Sequence, residues 1–280
     1  MLFKTRKKLN SGLCSNAYIL DDEYIQLIGK RDDSYNTYKE VKENSDLLIG
    51  KITCVDFPSN MILIEPNDEY PFGCLIYKIV RGNPLNSGTL TIQEQEKLAK
   101  KIVDFNAEMH NLQIHWDRDW AINHELEKID KNIRLLTKYL TENEISQLNA
   151  YKYIFSNYLN SKKQFCITHG DLWADNLIMN ENHELTGVID FGNMAYFLPE
   201  VDYASMWNMV DGFLEKLLKY TNEDVTKESI LLFVMHRELC SFEYIINAEP
   251  EDIPSQLEKI RDALLLIIPQ LNKEQLSIEK

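Results

Sequence analysis

Alternating apolar and polar positions in the first third of the chain predict a small β-sheet. Residues 17–20 and 24–29 flank a polar triplet at 21–23, which is the pattern of a β-hairpin. Two further apolar runs, at 61–65 and 74–80, predict two more strands. Between the hairpin and these strands, Ser34 is suited to cap a helix with apolar residues at helical spacing. The first third is therefore predicted to be a sheet with one helix.

Beyond residue 80 the hydrophobic period changes from that of strands to that of helices. Gly and Pro in residues 81–84 interrupt the pattern, so a hinge is expected near residues 75–82. Thr91 and Thr141 are each followed three residues later by Glu, the capping box that opens a helix. The first of these helices is predicted to end near His110.

The last third predicts three more helices from its amphipathic stretches. These lie at residues 201–220, 227–248 and 255–268, and Pro269 is expected to stop the last one. The fold class is then α+β with two lobes. We expect a sheet-rich N-terminal lobe over residues 1–80 and a larger, mainly helical C-terminal lobe over residues 81–280.

Composition favours a globular, cytoplasmic protein. The chain has 280 residues, of which 44% are hydrophobic, which is enough to bury a core in two lobes. No stretch approaches the roughly 18 apolar residues that span a membrane, and no signal-peptide run follows the basic start. The 5 cysteines are scattered without a C-x-x-C pair. That spacing argues against a disulfide framework or a zinc site and predicts buried thiols.

The negative charge is concentrated in the C-terminal part. Residues 166–280 carry 21 Asp and Glu against 8 Lys and Arg, whereas residues 1–165 carry 23 against 22. Such a surface repels nucleic acid and anionic membrane and attracts cationic small molecules or metal. The alternative is a solvated acidic face that only aids solubility. No protein partner is implied.

Two polar segments between short apolar runs carry the candidate chemistry. Asp171 lies five residues before Asn176, and Asp190 ends the next apolar run. Phosphoryl transfer needs a carboxylate that takes the proton of the attacking hydroxyl, and oxygen ligands that hold Mg²⁺ against the nucleotide phosphates. Asp171 fits the first role, and Asn176 with Asp190 fits the second. His169 is expected to orient the loop through a hydrogen bond. The apolar runs at 165–168, 177–179 and 185–189 are predicted to be strands.

The chain resembles the aminoglycoside phosphotransferase and choline kinase superfamily, small-molecule kinases with the two-lobed protein-kinase fold. The resemblance spans nearly the whole chain and rests on His169-Gly-Asp171 through Asn176, Ile189-Asp190-Phe191, the helix ending in His110, and Pro199-x-x-Asp202. It implies that Asp171 is the catalytic base and that Asn176 and Asp190 bind Mg²⁺. ATP or GTP is the implied donor, and Asp202 is expected to be structural.

The resemblance also implies a nucleotide site in the N-terminal lobe. The phosphate-covering loop would use Ser11, Gly12, Ser15 and Asn16, and the hinge whose backbone meets adenine would be Leu75, Ile76, Tyr77 and Lys78. The family usually has a Lys or Arg on the strand after the loop. Here Gln26 occupies the expected position, and Lys30 follows four residues later. Lys30 is a candidate for that cation, paired with Glu40 or Glu43, and the alternative is plain surface charge.

Four residues are candidates for binding the acceptor substrate. They are the aromatic Trp173 in the catalytic loop and the acidic Asp211, Glu238 and Glu243 on the predicted helices that follow. The sequence thus predicts an ATP- and Mg²⁺-dependent phosphotransferase acting on a hydroxyl of a small, cationic, aminoglycoside-like acceptor. A metabolic kinase for choline, an amino sugar or a similar alcohol is the alternative. The single loop glycine and Gln26 keep a nucleotide-binding pseudokinase open as a third hypothesis, which intact Asp171, Asn176 and Asp190 oppose.

Overall fold

The computed structural model describes the backbone of residues 3–11, 15–114, 118–162 and 164–278, with side chains except those of 10, 11, 118–120 and 270–278. In these ranges the strands and helices follow in the order β1 (Arg6–Ser11), β2 (Ser15–Leu20), β3 (Tyr24–Gly29), α1 (Ser34–Leu48), β4 (Ile62–Ile64), β5 (Cys74–Lys78), β6 (Asn83–Pro84), α2 (Ile92–His110), α3 (Arg118–Leu136), α4 (Glu142–Ser161), β7 (Cys166–Thr168), β8 (Leu177–Met179), β9 (Leu185–Val188), β10 (Ala195–Phe197), α5 (Glu200–Ala204), α6 (Phe213–Tyr220), α7 (Lys227–Cys240), α8 (Phe242–Ala248) and α9 (Ile253–Ile278). This is the predicted α+β class. Within these ranges no helix is long and apolar enough to cross a membrane.

The chain divides into two compact units. One contains Met1–Met109 and His169–Met194, and the other contains His110–Thr168 and Ala195–Lys280. Residue 80 lies inside the first unit because that unit runs on to Met109, and the chain returns to the same unit at His169 for the catalytic segment. The division into lobes at residue 80 stays a prediction.

The first unit is built on a five-stranded antiparallel sheet in the order β1-β2-β3-β5-β4. Side chains alternate between its faces. One face carries the buried cluster of Leu20, Cys74 and Ile76, and the other packs Leu75 and Met61 against Tyr38 of α1. A second sheet of the same unit has the order β6-β8-β9 and carries the catalytic segment.

The predicted hairpin and strands of this unit are confirmed, and the predicted helix cap is wrong. Strands β2 and β3 pair antiparallel around residues 21–23, and β4 and β5 lie within the predicted runs. Helix α1 begins at Ser34, but the N-cap position is Asp33. The Ser34 hydroxyl accepts instead from the Arg31 N–H at 3.2 Å, because the tight turn before the helix offers a nearer donor.

The second unit is mainly helical and has an aromatic core. Phe233 of α7 contacts Phe155 of α4 and Phe197 of β10 edge-on, with ring centroids 5.1 and 5.6 Å apart. Both capping boxes are present, with Thr91 N–H donating to Glu94 in the first unit and Thr141 N–H donating to Glu144 here, each at 2.7 Å. Helix α3 was not predicted.

The last predicted helices differ from the structure at their ends. Residues 201–220 form two helices, because Gly212 adopts φ +71° before α6, and residues 227–248 divide at Ser241. Helix α9 continues through Pro269, where a stop was expected. Proline removes one backbone hydrogen bond, and the apolar face of Ile260, Leu264 and Ile267 is buried before that point. Packing of the preceding turns therefore outweighs the local defect.

Candidate active site

His169 fixes the loop that carries the candidate base. Its ring is fully buried, and Nε2 lies 3.0 Å from the carbonyl oxygen of Ile189. The N–H of Asp171 donates to Nδ1 at 3.3 Å. Since Nδ1 accepts, Nε2 must carry the proton and donate to Ile189. The expectation that His169 orients the loop is confirmed, and the same ring ties Asp171 to the strand that leads into Asp190.

Gly170 brings the loop close to the turn that follows Asp190. It adopts φ +80°, and a Cβ at this position would lie 2.2 Å from the carbonyl oxygen of Asn193. Any other residue would clash with backbone there and would also be strained at this dihedral. Glycine is therefore required for this approach, a role that was not predicted from the sequence.

Asn176 connects the predicted base to the predicted metal ligands. It is buried at the end of a 3₁₀ turn, Ala174–Asn176, and its Nδ2 donates to the backbone carbonyl of Asp171 at 2.8 Å. The same amide is 3.3 Å from Oδ2 of Asp171, and the Asn176 carbonyl accepts from Ile189 N–H at 3.0 Å. The structure thus brings Asp171, Asn176 and the residue before Asp190 together, as the motif spacing predicted.

Asp190 occupies a strained turn that is held from α1. It adopts the left-handed conformation, φ +66° and ψ +68°, which is uncommon outside glycine and is tolerated by Asp. One carboxylate oxygen accepts from Gly192 N–H at 3.4 Å. Nδ2 of Asn44 donates to the carbonyl of Phe191 at 3.0 Å, which fixes the turn from the helix side. Asn44 is not among the predicted site residues, although an amide on a partly apolar helix face was a usable signal.

The chemistry of Asn176 and Asp190 fits a hard cation such as Mg²⁺. Because the Asn176 amide nitrogen is used by Asp171, its oxygen is the group left to act as a ligand. Asp190 is exposed and has one carboxylate oxygen on Gly192, which leaves the other as a ligand. Over the described ranges, no group of three or more His, Cys, Asp or Glu side chains could hold a metal. A metal here would need further oxygen ligands.

Ser15 begins β2 on the side of α1. Its hydroxyl is 2.6 Å from the hydroxyl of Tyr38. Burial raises the pKa of the Tyr77 phenol, and the nearby charges of Asp190 and Tyr38 add to that effect. A row of neighbouring polar side chains therefore crosses the first unit, formed by Ser15, Tyr38, Tyr77 and Asp190.

The other three residues of the predicted phosphate loop are described to different extents. Gly12 lies outside the described residues, as does the side chain of Ser11. Asn16 pairs with Ile28 in the ladder between β2 and β3. A contact of these residues with phosphate stays a prediction.

The four predicted hinge residues all lie on strand β5. Strand β5 lies between β3 and β4, so the backbone of Leu75 and Ile76 is paired on both edges. The ladder with β4 ends at Ile76, whereas the ladder with β3 continues to Lys78. Of the four predicted residues, Tyr77 and Lys78 thus lie beyond the ladder with β4, and a contact of this segment with adenine stays a prediction. The sequence could not show the double pairing, since pairing on a second edge depends on β4.

The sequence pattern puts Gln26 at the position of β3 that faces the nucleotide. In the structure its side chain lies on the opposite face of the sheet. Its Nε2 donates to Tyr70 Oη at 3.3 Å and to Cys74 Sγ at 3.4 Å, on the sheet face away from α1. The neighbouring Leu27 packs with Tyr38 and Tyr77 on the other face. Strand side chains alternate, so a one-residue error in register exchanges the faces. The inward position of β3 is therefore an apolar residue.

Lys30 follows β3 and is half-buried. Glu40 and Glu43 of α1 are exposed, and Glu43 lies 3.9 Å from Lys39 in a surface pair one turn apart. Such exposed pairs contribute little. A role for Lys30 at the phosphates stays a prediction.

The predicted acceptor-binding residues differ in what they already contact. Trp173, in the first unit, is 45% exposed, and its backbone N–H donates to the backbone carbonyl of Asp171 at 3.1 Å. In the second unit Asp211 is exposed. Glu238 is buried, accepts from Arg237 at 2.8 Å and contacts Gln256 Nε2 at 3.3 Å. Glu243 is ion-paired with Lys131. Two of the three acids are thus engaged within the protein.

A buried ionic network orders the start of the second unit. Nε2 of His110 lies 3.0 Å from Asp202 and Nδ1 lies 2.5 Å from Glu223. Burial alone lowers the pKa of His110, but these two carboxylates outweigh it and raise the pKa to about 9. Tyr203 also donates to Glu223 at 2.5 Å. The structural role expected of Asp202 is confirmed, and Glu223 is a partner that sequence analysis missed.

Comparisons with known proteins agree with this geometry. Residues 51–226 match the family model of the phosphotransferase enzyme family. The gentamicin complex of APH(2″)-IIa is similar over 92% of this chain and 91% of that one, at 20% identity and TM-score 0.74. The GDP complex of wild-type aminoglycoside 2′-phosphotransferase-IIIa is similar over 95% and 94%, at 18% identity and TM-score 0.77. Macrolide 2′-phosphotransferase MphH from Brachybacterium faecium is similar over 91% of each chain, at 12% identity and TM-score 0.64.

The fold and the catalytic segment together define a kinase-like phosphotransferase. The chain belongs to the phosphotransferase enzyme family and is a small-molecule kinase. The structural likenesses, at 20% identity or less, establish the two-lobed kinase-like fold that the sequence predicted.

Proposed function

We propose that this enzyme transfers the terminal phosphate of ATP or GTP to a hydroxyl of a small cationic acceptor of the aminoglycoside class, in the presence of Mg²⁺. The observation that carries the proposal is the contact set of the catalytic segment. Asp171, Asn176 and the strand end before Asp190 are held together by hydrogen bonds of 2.8 to 3.3 Å through Asn176 and His169. Transfer of a phosphoryl group depends mainly on such positioning.

In the proposed reaction the acceptor hydroxyl attacks the terminal phosphorus, and the bond from that phosphorus to the bridging oxygen breaks. Asp171 takes the hydroxyl proton, as a carboxylate within hydrogen-bond reach of the acceptor does in this chemistry. The backbone contacts of Asp171 to His169 and Asn176 fix where its carboxylate lies. His169 is unsuited to take the proton, because both ring nitrogens already have partners.

Asn176 and Asp190 would hold the metal, since both present oxygen ligands. Bound Mg²⁺ supplies positive charge against the phosphate oxygens. Asn44 holds the turn at Asp190 through the carbonyl of Phe191, which fixes the backbone that carries the Asp190 carboxylate. Tyr77 and Lys78 keep open backbone edges for adenine.

Two features support a cationic acceptor, namely the acidic C-terminal part of the chain and the exposed ring of Trp173. Residues 166–280 carry 21 acidic against 8 basic residues, and solved relatives contain gentamicin, kanamycin or streptomycin. Trp173 lies two residues after the base with an exposed indole, a surface suited to a cation or a sugar ring. Asp211 is an exposed acid in the second unit.

Glu238 and Glu243 already have partners within the protein, and this observation supports a second candidate function. With fewer acids available, a smaller acceptor with one charge, such as choline or an amino sugar, needs only one exposed carboxylate and one aromatic face. This candidate shares Asp171, Asn176 and Asp190 with the first.

One acceptor panel separates the two. Purified enzyme is incubated with ATP or GTP and Mg²⁺ against aminoglycosides, macrolides, choline and amino sugars, and the product is identified by the mass of an added phosphoryl group. Asp171→Asn and omission of metal serve as controls. Phosphorylated aminoglycoside supports the proposal, phosphorylated choline or amino sugar supports the alternative, and no product with any acceptor contradicts both.

A further inference from the structure

A cavity of about 500 Å³ lies in the first unit. Its walls are residues 53–56, the face of α2 around residues 97–101, and residues 183–186 at the start of β9. Asp171, Asn176 and Asp190 do not line it. The proposed phosphotransfer therefore leaves this cavity without a role.

Hydrogen bonds within the protein hold the three walls together. The N–H of Asp56 donates to the carbonyl of Thr186 at 2.8 Å, and Val188 N–H donates to the carbonyl of Asp56 at 2.9 Å. On the other side, Glu108 of α2 accepts from the N–H of Thr53 at 2.6 Å and from its hydroxyl at 2.8 Å. The cavity is thus formed before any ligand enters, which lowers the cost of binding.

Two lysines of α2 line the cavity without a carboxylate partner. Lys97 and Lys101 are four residues apart, and neither ammonium forms an ion pair with a residue that the structure describes. By contrast, His183 at the same cavity lies 2.9 Å from the carboxylate of Glu94. Like charges one helical turn apart destabilise a helix. An anion between the two lysines would remove that repulsion.

The acidic and thiol groups of the cavity cancel little of this positive charge. The carboxylate of Glu184 already accepts from the amide of Asn180 at 3.0 Å. Burial and the nearby carboxylate of Glu108 raise the pKa of Cys54 to about 12, so its thiol is neutral. The side chain of Asp56 is exposed and has no hydrogen bond to a described residue. The cavity therefore presents two ammonium groups and one carboxylate that can accept hydrogen bonds.

The rest of the lining can hold the body of a small molecule. Val55, Leu98 and Leu185 are buried and supply apolar surface. The hydroxyl of Thr186 donates to the carbonyl of Ile178 at 3.3 Å, so its oxygen can still accept a hydrogen bond. A cavity of this size with a few polar groups among apolar side chains is typical of a small-molecule site.

We propose that this cavity binds a small sugar phosphate. Its phosphate group carries about two negative charges at neutral pH, which the ammonium groups of Lys97 and Lys101 match. The sugar hydroxyls donate to the carboxylate of Asp56 and to the hydroxyl oxygen of Thr186. The ring lies against the apolar side chains. The site needs both ends of the ligand, because the lysines bind the anion and Asp56 would repel it.

Titration calorimetry on the native full chain tests the class of ligand. Glucose 6-phosphate is the probe, and glucose and inorganic phosphate each carry one of its two parts. We expect glucose 6-phosphate to bind at least about tenfold more tightly than inorganic phosphate, and glucose to give no measurable binding. No binding of glucose 6-phosphate, or equal Kd values for it and for phosphate, would overturn the proposal.

Substitutions of the lysines locate the binding. Lys97→Met and Lys101→Met should each raise the Kd for glucose 6-phosphate about fivefold or more, since each removes a charge-assisted contact. Lys100→Met is the matched control, because Lys100 is exposed on the same helix and does not line the cavity. Phosphotransfer to the acceptor identified in the panel should be unchanged in all three. Equal Kd values in the three variants would place the ligand elsewhere.

A further pair of variants tests the contact with the sugar. Asp56→Ala should weaken glucose 6-phosphate and should not weaken inorganic phosphate, because it removes an acceptor for hydroxyls and a charge that repels phosphate. Asp104→Ala removes an exposed carboxylate of α2 that does not line the cavity and should change neither Kd. If Asp56→Ala tightens both ligands equally, the sugar does not contact Asp56 and the proposed ligand class is wrong.

Discussion

Asn176 donates its side-chain amide to the backbone carbonyl of Asp171 at 2.8 Å, so the predicted metal ligand and the predicted base hold each other in place. The amide can donate here only if its oxygen is directed elsewhere. Asn176 therefore holds the base with its amide nitrogen, and its amide oxygen remains available to bind a cation. A loss at this position should affect both tasks.

Replacing the base should separate binding from turnover. We expect Asp171→Asn to lower kcat by about 10² to 10⁴ and to leave nucleotide affinity nearly unchanged, since the role needs a carboxylate and not only its shape. Coupled ADP release gives kcat, and nucleotide titration gives affinity. A variant with wild-type turnover would remove Asp171 from the mechanism.

Replacing a metal ligand should instead affect nucleotide binding. Asp190→Ala is expected to lose most of the Mg²⁺-dependent rise in melting temperature that ATP gives the wild-type protein. Asp175→Ala is the matched control, because Asp175 is an exposed carboxylate in the same segment. Thermal shift with and without Mg²⁺ measures both. An equal rise in the two variants counts against Asp190 as a ligand.

Gln26→Met tests which face of β3 points to the nucleotide. Its amide contacts Tyr70 and Cys74 on the outer face, so the substitution should leave the Kd for ATP within about twofold and cost about 1 kcal/mol in the free energy of unfolding. Calorimetry and denaturant unfolding give the two values. A tenfold weaker Kd in a stable variant would return Gln26 to the phosphate site.

The His110 network predicts a stability contribution that depends on pH. The pKa of His110 rises from its unfolded value to about 9 in the folded protein. The contribution is therefore complete below about pH 6.5 and disappears as the pH passes about 9; it is on the order of 3 kcal/mol.

Denaturant unfolding of wild type and His110→Gln should accordingly differ most near pH 6 and least above pH 9, where only the loss of packing remains. His183→Gln replaces an exposed histidine of a surface ion pair and is the control for the loss of a histidine side chain. A difference that does not change with pH would show that His110 acts as a neutral group.

Salt should weaken recognition of a cationic acceptor more than that of the nucleotide. Raising ionic strength to physiological values, where the screening length is about 8 Å, should raise the acceptor KM at fixed free Mg²⁺. Asp211→Asn should reproduce part of this increase, whereas Asp262→Asn, an exposed acid of α9, should not. An acceptor KM that responds to neither salt nor Asp211 would mean that the acidity serves solubility.

Sequence spacing predicted the parts of the site that lie close together in the chain. The steps from Asp171 to Asn176 and on to Asp190 are set by a short loop and two short strands, so local pattern was sufficient. The orientation of Gln26 and the pairing of Leu75 and Ile76 on both edges could not be predicted, for one reason. Each depends on how β3, β4 and β5 align, and alignment between strands is a long-range property.

Helix ends showed the same limit. Pro269 is a strong local stop signal, yet α9 continues past it because three buried residues anchor the turns before it. Partners such as Asn44 and Glu223 contact residues more than 100 positions away, and no periodicity in the sequence pairs them.

The tight approach of Gly170 to Asn193 has a consequence for protein engineering. These two residues lie near the ends of the segment 169–194, and within this segment His169 and Asn176 both contact the backbone of Ile189. Both sides of this close approach therefore lie within one segment, which is best exchanged between relatives as a whole. Grafting only half of it would place the loop of one protein against the turn of another. Libraries that aim at a new acceptor should leave this block intact and vary residues outside it.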